Sequence, residues 1–354
     1  MRHAHHGVMQ DTEAPVLIDS SSSRTAEHTT KGLGAPAHPS RWARLWPTVR
    51  RWAVPALGLL VLAMLISHAH KVDWAGAWTA LKRYPGTVLL EASILALASH
   101  ALYGCFDLTG RHHTRHGLPV MRTWAIAVAS YGFNLNLGSL VGGVALRARL
   151  YARDGLDETK VGQIIAMSLS TNWLGYGLVA GGLFASGMLD LPDSVPLSNG
   201  MLQVIGIGLM LLPVAYLLAC LRWHGATWKV RGKSIHLPTP RLALVQLALS
   251  TGNWCLMGTL MYLLLGGSVP YAHVLGVLLA ASVVGVCVPI PAGLGVLEAV
   301  YLALLSGTVP QGKLMGAVLA YRALYYLLPL AIALGLYAYL EKTADPNAGQ
   351  AEAT

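Results

Sequence analysis

The stretch LALVQLALSTGNWCLMGTLMYLLLG, residues 242–266, decides the fold of this chain. It contains no Asp, Glu, Lys or Arg, and the run without charges continues as far as Glu298. A helix needs about 20 apolar residues to cross a bilayer, so the run from Arg241 to Glu298 is long enough for two crossings. A second run without charges, between Lys160 and Asp190, is long enough for one more.

The composition of the whole chain agrees with these runs. Apolar residues make up 54% of its 354 residues and charged residues only 12%, whereas a soluble domain carries about 25% charged residues. Membrane-spanning segments must be helices or closed barrels, because lipid offers the backbone no hydrogen bonds. Apolar and polar residues do not alternate with a period of two, which excludes a barrel. The sequence therefore predicts an all-α integral membrane protein.

The chain contains eight hydrophobic segments, which we interpret as six full transmembrane helices and two re-entrant hairpins. A short amphipathic stretch over 72–85, with Trp74, Trp78 and Tyr84, is typical of an interfacial helix. The six predicted spans are 52–67, 86–108, 161–187, 201–221, 242–266 and 314–340, and the two predicted hairpins are 123–146 and 273–306.

The charges decide that residues 123–146 form a hairpin and not a span. If this segment crossed the membrane, Arg147, Arg149, Arg153 and Lys160 would lie outside, against the rule that cytoplasmic loops are positive. With the hairpin, 20 of the 25 Lys and Arg residues lie inside, four lie outside and Arg322 lies within a span. This arrangement places both termini in the cytoplasm. The net charge of +9 belongs to these loops and does not indicate nucleic acid.

The order of the segments predicts an inverted-topology repeat. Each half reads span, span, hairpin, span, and the two halves enter the membrane from opposite sides. Interrupted segments at corresponding positions of two such halves indicate a transport site. The predicted regions are a disordered cytoplasmic tail over 1–40, a first membrane repeat with basic flanks over 41–222, a basic cytoplasmic loop over 223–240, a second membrane repeat over 241–341 and a disordered cytoplasmic tail over 342–354.

The first hairpin carries the candidate site for a lipid head group. Its glycines allow close backbone approach, and its amides suit a partly hydrated groove. Arginine binds a phosphate through two parallel hydrogen bonds, although arginine at a membrane edge also serves as an ordinary lipid anchor. The predicted turn residues are Gly138, Gly142 and Gly143, and the predicted head-group ligands are Asn134, Asn136, Arg147 and Arg149.

The second hairpin is broken at its middle by Pro289, Pro291, Gly293 and Gly295. Such a break at membrane depth is tolerated only where it lines a cavity or is buried in protein. Glu298 follows the break and Arg322 lies in the last span, so the two are predicted to pair. The pair serves either in gating or coupling, or only to lock the hairpin to the span. The other acidic residues in the spans, Glu91 and Asp107, lie near segment ends and are expected to reach toward the membrane surface.

No signature of an enzyme, a metal site or a cofactor is present in the sequence. Gly232-Lys-Ser234 resembles part of a phosphate-binding loop, but Thr227 stands where that motif requires glycine. The four cysteines lie in apolar segments without metal-like spacing. The sequence therefore predicts a protein that is not an enzyme and that has no cofactor.

These motifs together resemble the transmembrane region of lysylphosphatidylglycerol synthases, the flippase domain of MprF-type proteins. The resemblance is closest to the stand-alone bacterial inner-membrane proteins of the YbhN type and covers residues 50–340. It is carried by five stretches: Asp107 to Arg111, Ser130 to Leu156, Thr171 to Gly175, Pro289 to Glu298 and Arg322 to Pro329.

The resemblance implies a flippase-like protein of the bacterial inner (plasma) membrane that translocates phospholipids. The soluble aminoacyl-transfer domain of the synthases is absent, so lysine transfer is not implied. Membrane phospholipids are the expected partners, with a lipid-synthesis enzyme as a further candidate and no nucleic acid. Two alternatives stay open. One is an ion- or proton-coupled transporter of a small solute with Glu91, His100 and Glu298 as a relay. The other is a non-catalytic scaffold for a lipid-synthesis enzyme.

Overall fold

The computed structural model describes Ala63 and residues 74–189, 198–223, 227–230, 233–287 and 293–349. All of them belong to one unit, Ala56–Thr354. Several predicted features lie outside the described residues: the N-terminal tail over 1–40, the first span over 52–67 apart from Ala63, Pro289 and Pro291, and the last residues of the C-terminal tail.

Six helical segments make up the described part of the first half. They agree with the predicted segments to within a few residues, except that the second span continues about one and a half turns further, to Thr114. The segments are α1 (Trp74–Leu81), α2 (Gly86–Thr114), α3 (Val120–Leu137), the π-helix π1 (Ser139–Leu146), α4 (Arg147–Arg153) and α5 (Glu158–Ala185).

The second half contains the remaining helices and one small hairpin of strands. The hairpin lies within the predicted basic loop over 223–240, where no strand was predicted; Thr227 pairs with His236 and Val230 with Lys233. The segments are α6 (Asn199–Trp223), β1 (Thr227–Val230), β2 (Lys233–His236), α7 (Pro240–Leu264), α8 (Tyr271–Cys287), α9 (Val296–Leu305), α10 (Gln311–Tyr321), the π-helix π2 (Arg322–Leu327) and α11 (Leu328–Lys342).

Local sequence signals set where these helices begin. Pro85, Pro119 and Pro310 directly precede α2, α3 and α10, and proline fixes a backbone angle that suits the start of a helix. Two other helices begin at side-chain caps. The Asp157 carboxylate accepts from the backbone of Thr159 and Lys160 ahead of α5, and the Thr239 hydroxyl accepts from Leu242 in α7.

Within the described residues, four helical stretches are long and apolar enough to cross a membrane: Gly86–Thr114, Asn199–Trp223, Pro240–Leu264 and Gln311–Lys342. Each corresponds to a predicted full span. A fifth predicted span, α5, is long enough but less apolar, since Gly, Ser, Thr and Asn interrupt it. On α6 most of the exposed side chains are apolar, among them Val204, Ile207, Leu211 and Leu218. These features establish a helical membrane protein.

The first predicted hairpin brings its two ends together, and the two described limbs of the second pack against each other. Arg122, at the start of α3, bonds to Asp154, just after α4, with 2.6 Å between Nε and Oδ2. The two ends of this segment therefore lie together, which a helix pair running straight through would not allow. In the second segment, α8 packs against α9, and the turn between them lies mostly outside the described residues.

Candidate functional site

The first hairpin turns at Gly138, whose φ of +87° lies in the region that favours glycine. The returning limb then packs directly on α3. A Cβ at Gly142 would overlap the backbone of Phe133 and Asn134, and a Cβ at Gly143 would lie 2.9 Å from the side-chain oxygen of Asn134. The predicted turn glycines thus form the turn itself, at Gly138, and the contact between the limbs.

Asn136 joins this hairpin to π2. Its side chain is buried, and its amide nitrogen donates to the carbonyl oxygens of Gly132, at 2.8 Å, and Tyr326, at 3.2 Å. Its side-chain oxygen has no hydrogen-bond partner among the described residues. Asn134 lies half-buried against Gly143. The two predicted amide ligands therefore lie at the tip of the hairpin, where α3 meets its returning limb.

Arg147 is buried and not open to a groove. Its side chain is 1% exposed, and its Nη1 lies 3.3 Å from Oδ1 of Asp107. The other carboxylate oxygen of Asp107 accepts a hydrogen bond of 2.7 Å from the Tyr151 hydroxyl, and the guanidinium carbon lies 5.8 Å from the centre of the Tyr103 ring. The expectation that Asp107 reaches the membrane surface is wrong, because Asp107 is 0% exposed and neutralises a buried cation.

Arg149 lies apart from Arg147 in a half-buried cluster at the end of α11. Its Nε lies 2.8 Å from Oε1 of Glu341, and Nη1 of Arg153 lies 3.1 Å from the other oxygen of the same carboxylate. Tyr337 also donates to Glu341. The structure therefore gives the two predicted phosphate ligands different surroundings and different carboxylate partners.

Asp154 anchors a cluster that the sequence did not reveal. This buried carboxylate accepts two hydrogen bonds from Arg122, at 2.6 and 2.7 Å. Arg122 in turn donates to the Leu340 carbonyl and the Thr343 hydroxyl, and the backbone of Asp345 donates to Asp154. Residues 343–349, predicted as part of a disordered tail, instead lie against the end of the first hairpin.

Glu298 and Arg322 form the ion pair that the sequence predicts. Nε and Nη2 of Arg322 bond to the two carboxylate oxygens at 2.6 and 2.8 Å, and Nη2 also donates to the Gly293 carbonyl at 2.7 Å. The ring of Tyr326 lies 5.7 Å from the guanidinium carbon. Arg322 thus holds the start of α9 and Gly293, a residue of the predicted break. Its role in gating or coupling stays a prediction.

A hydrogen-bonded chain lies at the middle of the helices, between these two arginines. Ser99 donates to Asn253 at 2.7 Å, the Ser99 and Tyr325 hydroxyls are 2.8 Å apart, and the Tyr325 and Tyr131 hydroxyls are 3.0 Å apart.

Aromatic rings link this chain to the two arginines. The Tyr131 ring stacks on that of Tyr103 at 3.7 Å between centroids. Since Tyr103 contacts Arg147 and Tyr326 contacts both Tyr325 and Arg322, polar and aromatic groups connect the two buried arginines without a break.

Most residues of this hydrogen-bonded series were not predicted from the sequence. Its members are tyrosines and small polar residues, which also occur in ordinary helix packing. One available signal was the similarity of Ser170-Thr-Asn-Trp173 and Ser250-Thr-Gly-Asn-Trp254, which we would attribute to chance from sequence alone. In the structure the two stretches contact each other, since the Asn172 carbonyl accepts from Ser250 at 3.1 Å and from the Trp254 indole at 3.4 Å.

The relay of the small-solute alternative is not assembled. Glu91 is exposed, whereas His100 is 2% exposed and its ring lies between those of Tyr131 and Tyr325. Glu298 is bonded to Arg322 instead. Across the described residues, no group of three or more His, Cys, Asp or Glu side chains is placed to hold a metal ion.

Comparison with known proteins agrees with this architecture. The family model described as "Lysylphosphatidylglycerol synthase TM region" matches residues 55–333. The chain belongs to this family. It is 41% identical to inner membrane protein YbhN of Escherichia coli (strain K12) over 268 residues, which are 76% of this chain and 83% of that protein.

The chain is also 27% identical to an uncharacterized protein, slr0712, of Synechocystis sp. over 276 residues, which are 73% of this chain and 82% of that protein. The family match covers both hairpins, the Asp107–Arg147 pair and the Glu298–Arg322 pair. The resemblance proposed from the sequence motifs is thus confirmed.

Proposed function

We propose that this protein moves phospholipids between the leaflets of the bacterial inner membrane, without an ATPase or an aminoacyl-transfer activity of its own. The observation that carries the proposal is the unbroken series of polar and aromatic groups between Arg147 and Arg322. Charged side chains cost about 2.5 to 3.5 kcal/mol each at the centre of a spanning helix. Two buried arginines joined by such a series therefore indicate a path for a charged group.

The physical need for such a path follows from the head group. Carrying a phosphate through hydrocarbon without hydrogen bonds costs many kcal/mol, and a lining of donors lowers that barrier. Guanidinium groups suit phosphate because they offer two parallel charged hydrogen bonds. The membrane potential provides about 2.3 kcal/mol per charge for each 100 mV, so an anionic lipid can move with a preferred direction and without ATP.

The proposed membrane arrangement consists of six full spans and two re-entrant hairpins in an inverted-topology repeat. Four spans are supported by length and hydropathy, and the contact between Arg122 and Asp154 supports the return of the first hairpin to its side of entry. The hairpin tips carry Asn134, Asn136 and Gly293, and the spans around them carry Asp107 and Arg322. In this arrangement both termini are cytoplasmic. By the order of segments the two halves divide after α5, ahead of the boundary at residue 222 given for the first predicted region.

The roles of individual residues follow from their surroundings. Arg147 is the candidate phosphate ligand at the first hairpin, and Asn136 helps to fix the tip of that hairpin to π2. Arg149 is engaged with Glu341, which assigns it to holding α4 against α11. Glu298 and Arg322 link the second hairpin to the last span, so movement of that hairpin must break or carry their pair. This makes the pair the candidate gate.

A leaflet-exchange measurement tests the proposal. The full chain, purified and placed in liposomes, is expected to speed exchange of a fluorescent phosphatidylglycerol between leaflets in the absence of ATP. Arg147→Lys keeps the charge but loses the planar fork, and should slow exchange about tenfold or more. Arg153→Ala is the matched control, because Arg153 lies on the same returning limb and is 47% exposed. It should exchange lipid like the wild type.

The alternatives appear as outcomes of the same measurement. If no phospholipid exchanges faster than in empty liposomes, even with a membrane potential applied, the chain does not move lipid by itself and a scaffold role for a lipid-synthesis enzyme gains weight. If lipid exchange is absent but an ion gradient drives uptake of a small solute, coupled transport of that solute replaces phospholipid translocation as the function.

A further inference from the structure

Arg147 differs from the two other arginines that form buried ion pairs in how its nitrogens are used. Arg122 and Arg322 both bind a carboxylate through the same edge of the guanidinium, Nε together with Nη2, at distances between 2.6 and 2.8 Å. Arg147 meets Asp107 only through Nη1, at 3.3 Å. Its Nε and Nη2 have no hydrogen-bond partner among the described residues, although the side chain is 1% exposed.

We infer that the Nε and Nη2 edge of Arg147 binds the phosphate of a lipid head group and that Asp107 keeps this binding weak enough for release. The inference rests on the proposed function and names the site within it. A phosphate offers two oxygens at the spacing that this edge binds in carboxylates elsewhere in the chain. Asp107 leaves the Nε and Nη2 edge of Arg147 unoccupied, since it contacts Nη1 instead.

Asp107 is well placed for this positioning role. The Tyr151 hydroxyl holds its second oxygen at 2.7 Å, so the carboxylate cannot swing to the Nε side without losing that bond. The Tyr103 ring lies 5.8 Å from the guanidinium carbon, close enough for a cation–π contact that helps to hold the fork in place. A carboxylate beside a phosphate repels it, and a carrier or channel needs binding that is favourable enough to enter and weak enough to leave.

The segment before Arg147 offers a way to expose it. Arg147 is the first residue after π1, in which the hydrogen bonds join residues five apart. A shift of one residue back to α-helical bonding turns the following residues by about 100°, because an α-helix has 3.6 residues per turn. Such a turn would carry Arg147 out of the contact with Asp107. Arg322 begins π2, so both buried arginines lie at an edge of a π-helix.

A binding experiment tests the inference separately from transport. The full chain in detergent is titrated with dioctanoyl phosphatidylglycerol, with inorganic phosphate and with dioctanoylglycerol, which lacks the phosphate, and intrinsic tryptophan fluorescence is recorded. Phosphatidylglycerol is expected to bind and dioctanoylglycerol not to. Inorganic phosphate binding as tightly as the lipid would overturn a site for lipid head groups in favour of one for the free anion.

Three variants decide the role of each residue. Asp107→Asn should bind phosphatidylglycerol about tenfold tighter, because the neighbouring negative charge is gone. Arg147→Lys should bind it about tenfold more weakly, since an ammonium lacks the planar fork of two donors. This variant keeps the positive charge beside Asp107, so it still tests the site if Asp107→Asn does not fold. Asp157→Asn, at the exposed cap of α5, should bind like the wild type.

Two results would overturn the inference. One is wild-type affinity in Arg147→Lys, and the other is unchanged or weaker affinity in a folded Asp107→Asn. These outcomes are independent of leaflet exchange. A wild-type protein that binds lipid through Arg147 but does not exchange it would refute the proposed function and leave the phosphate site intact.

Discussion

The hydroxyl of Ser99 donates a hydrogen bond of 2.7 Å to the side-chain oxygen of Asn253, and each residue lies thirteen positions after the first residue of its helix. Ser99 lies in α2 and Asn253 in α7, the helices that correspond in the proposed repeat. Two helices related by a two-fold axis meet at equivalent residues. The contact therefore supports an axis that passes close to this pair.

The hydrogen bonds around Ser99 have a fixed direction. Because its one hydrogen goes to Asn253, Tyr325 must donate to Ser99 and Tyr131 must donate to Tyr325. Ser99→Ala leaves both the Tyr325 donor and the Asn253 acceptor unpaired and is expected to cost about 1 to 3 kcal/mol of stability. Tyr131→Phe removes only the first donor and should cost about 1 kcal/mol or less. Thermal unfolding in detergent compares the two; a larger loss in Tyr131→Phe would contradict this direction.

The topology leads to a second prediction. Reporter fusions at Asp193 and Gly232 should read outside and inside respectively, because the cation count predicts that both termini are cytoplasmic. A single cysteine at Arg153, where the side chain is 47% exposed, should react with an impermeant maleimide only from the cytoplasmic side. Labelling of that cysteine from outside would make the first hairpin a full crossing and abolish the inverted repeat.

Charge and helix-breaking residues were enough to predict the helical membrane class, the bounds of most segments and the fold-back of residues 123–146. Glu298 and Arg322 could be paired from sequence because few other charges lie at membrane depth. The partner of Arg147 could not, because Asp107 lies near the end of a span, where a carboxylate can usually reach water. Its burial and its pairing depend on contacts with residues distant in sequence, among them Arg147 and Tyr151 of the returning limb.

Two further features of the structure were not predicted from the sequence. The anchoring of residues 343–349 depends on Asp154, a carboxylate in a short basic stretch that local sequence marks as an exposed loop. The π-helices beside Arg147 and Arg322 leave no clear sequence signal, since they differ from α-helix by one residue in register. The anchoring of residues 343–349 is thus a contact between distant segments, and the π-helices are a small local change of register; neither leaves a pattern in the sequence.

The Glu298–Arg322 pair leads to a third prediction. Neutralising either residue alone, as in Glu298→Gln or Arg322→Gln, leaves one charge in a mostly buried place and should cost about 3 to 5 kcal/mol. The exchanged variant with Glu298→Arg and Arg322→Glu should recover only part of this loss, because the new carboxylate would face the Gly293 carbonyl that Arg322 now bonds. Expression and thermal unfolding measure the effect. Losses in the exchanged variant equal to the sum of both single variants would mean that the residues act independently.

The cluster around Asp154 leads to a fourth prediction. Asp154→Asn removes a buried carboxylate that holds Arg122 through two bonds, and should destabilise the protein by about 3 kcal/mol or more. Asp157→Asn, only three residues away, should have little effect, because asparagine caps a helix about as well as aspartate. Thermal unfolding of the two variants is the measurement. Equal stability of both variants would show that the bonds of Asp154 to Arg122 and to the C-terminal segment contribute nothing to the stability of the protein.

The loop between α2 and α3 contains a histidine that makes stability depend on pH. His116 is buried; its Nδ1 accepts a hydrogen bond from the Leu118 backbone at 3.3 Å, and its Nε2 has no partner among the described residues. Burial, and then the positive charges of Arg111 and Lys160, lower the pKa of His116 from 6.5 to about 4. The Tyr151 ring, 6.3 Å away, is the aromatic neighbour. The folded protein therefore holds this imidazole neutral.

The direction of the pH effect follows from that pKa. Between pH 6.5 and 4 the unfolded chain binds a proton at His116 that the folded protein does not, so stability falls as the pH falls through this window. From pH 7 to pH 5 the loss from this group should be about 2 kcal/mol, or about 3 °C in the unfolding midpoint of a chain of this length. His116→Asn keeps an acceptor for Leu118 and cannot take up the proton, so its midpoint should fall less over the same range. The unfolding midpoint is measured against pH for the wild type and for His116→Asn. Because the other groups titrate identically in both proteins, the difference between these two curves isolates His116. Parallel curves would mean that His116 is already protonated in the folded protein, or is no more buried than in the unfolded chain.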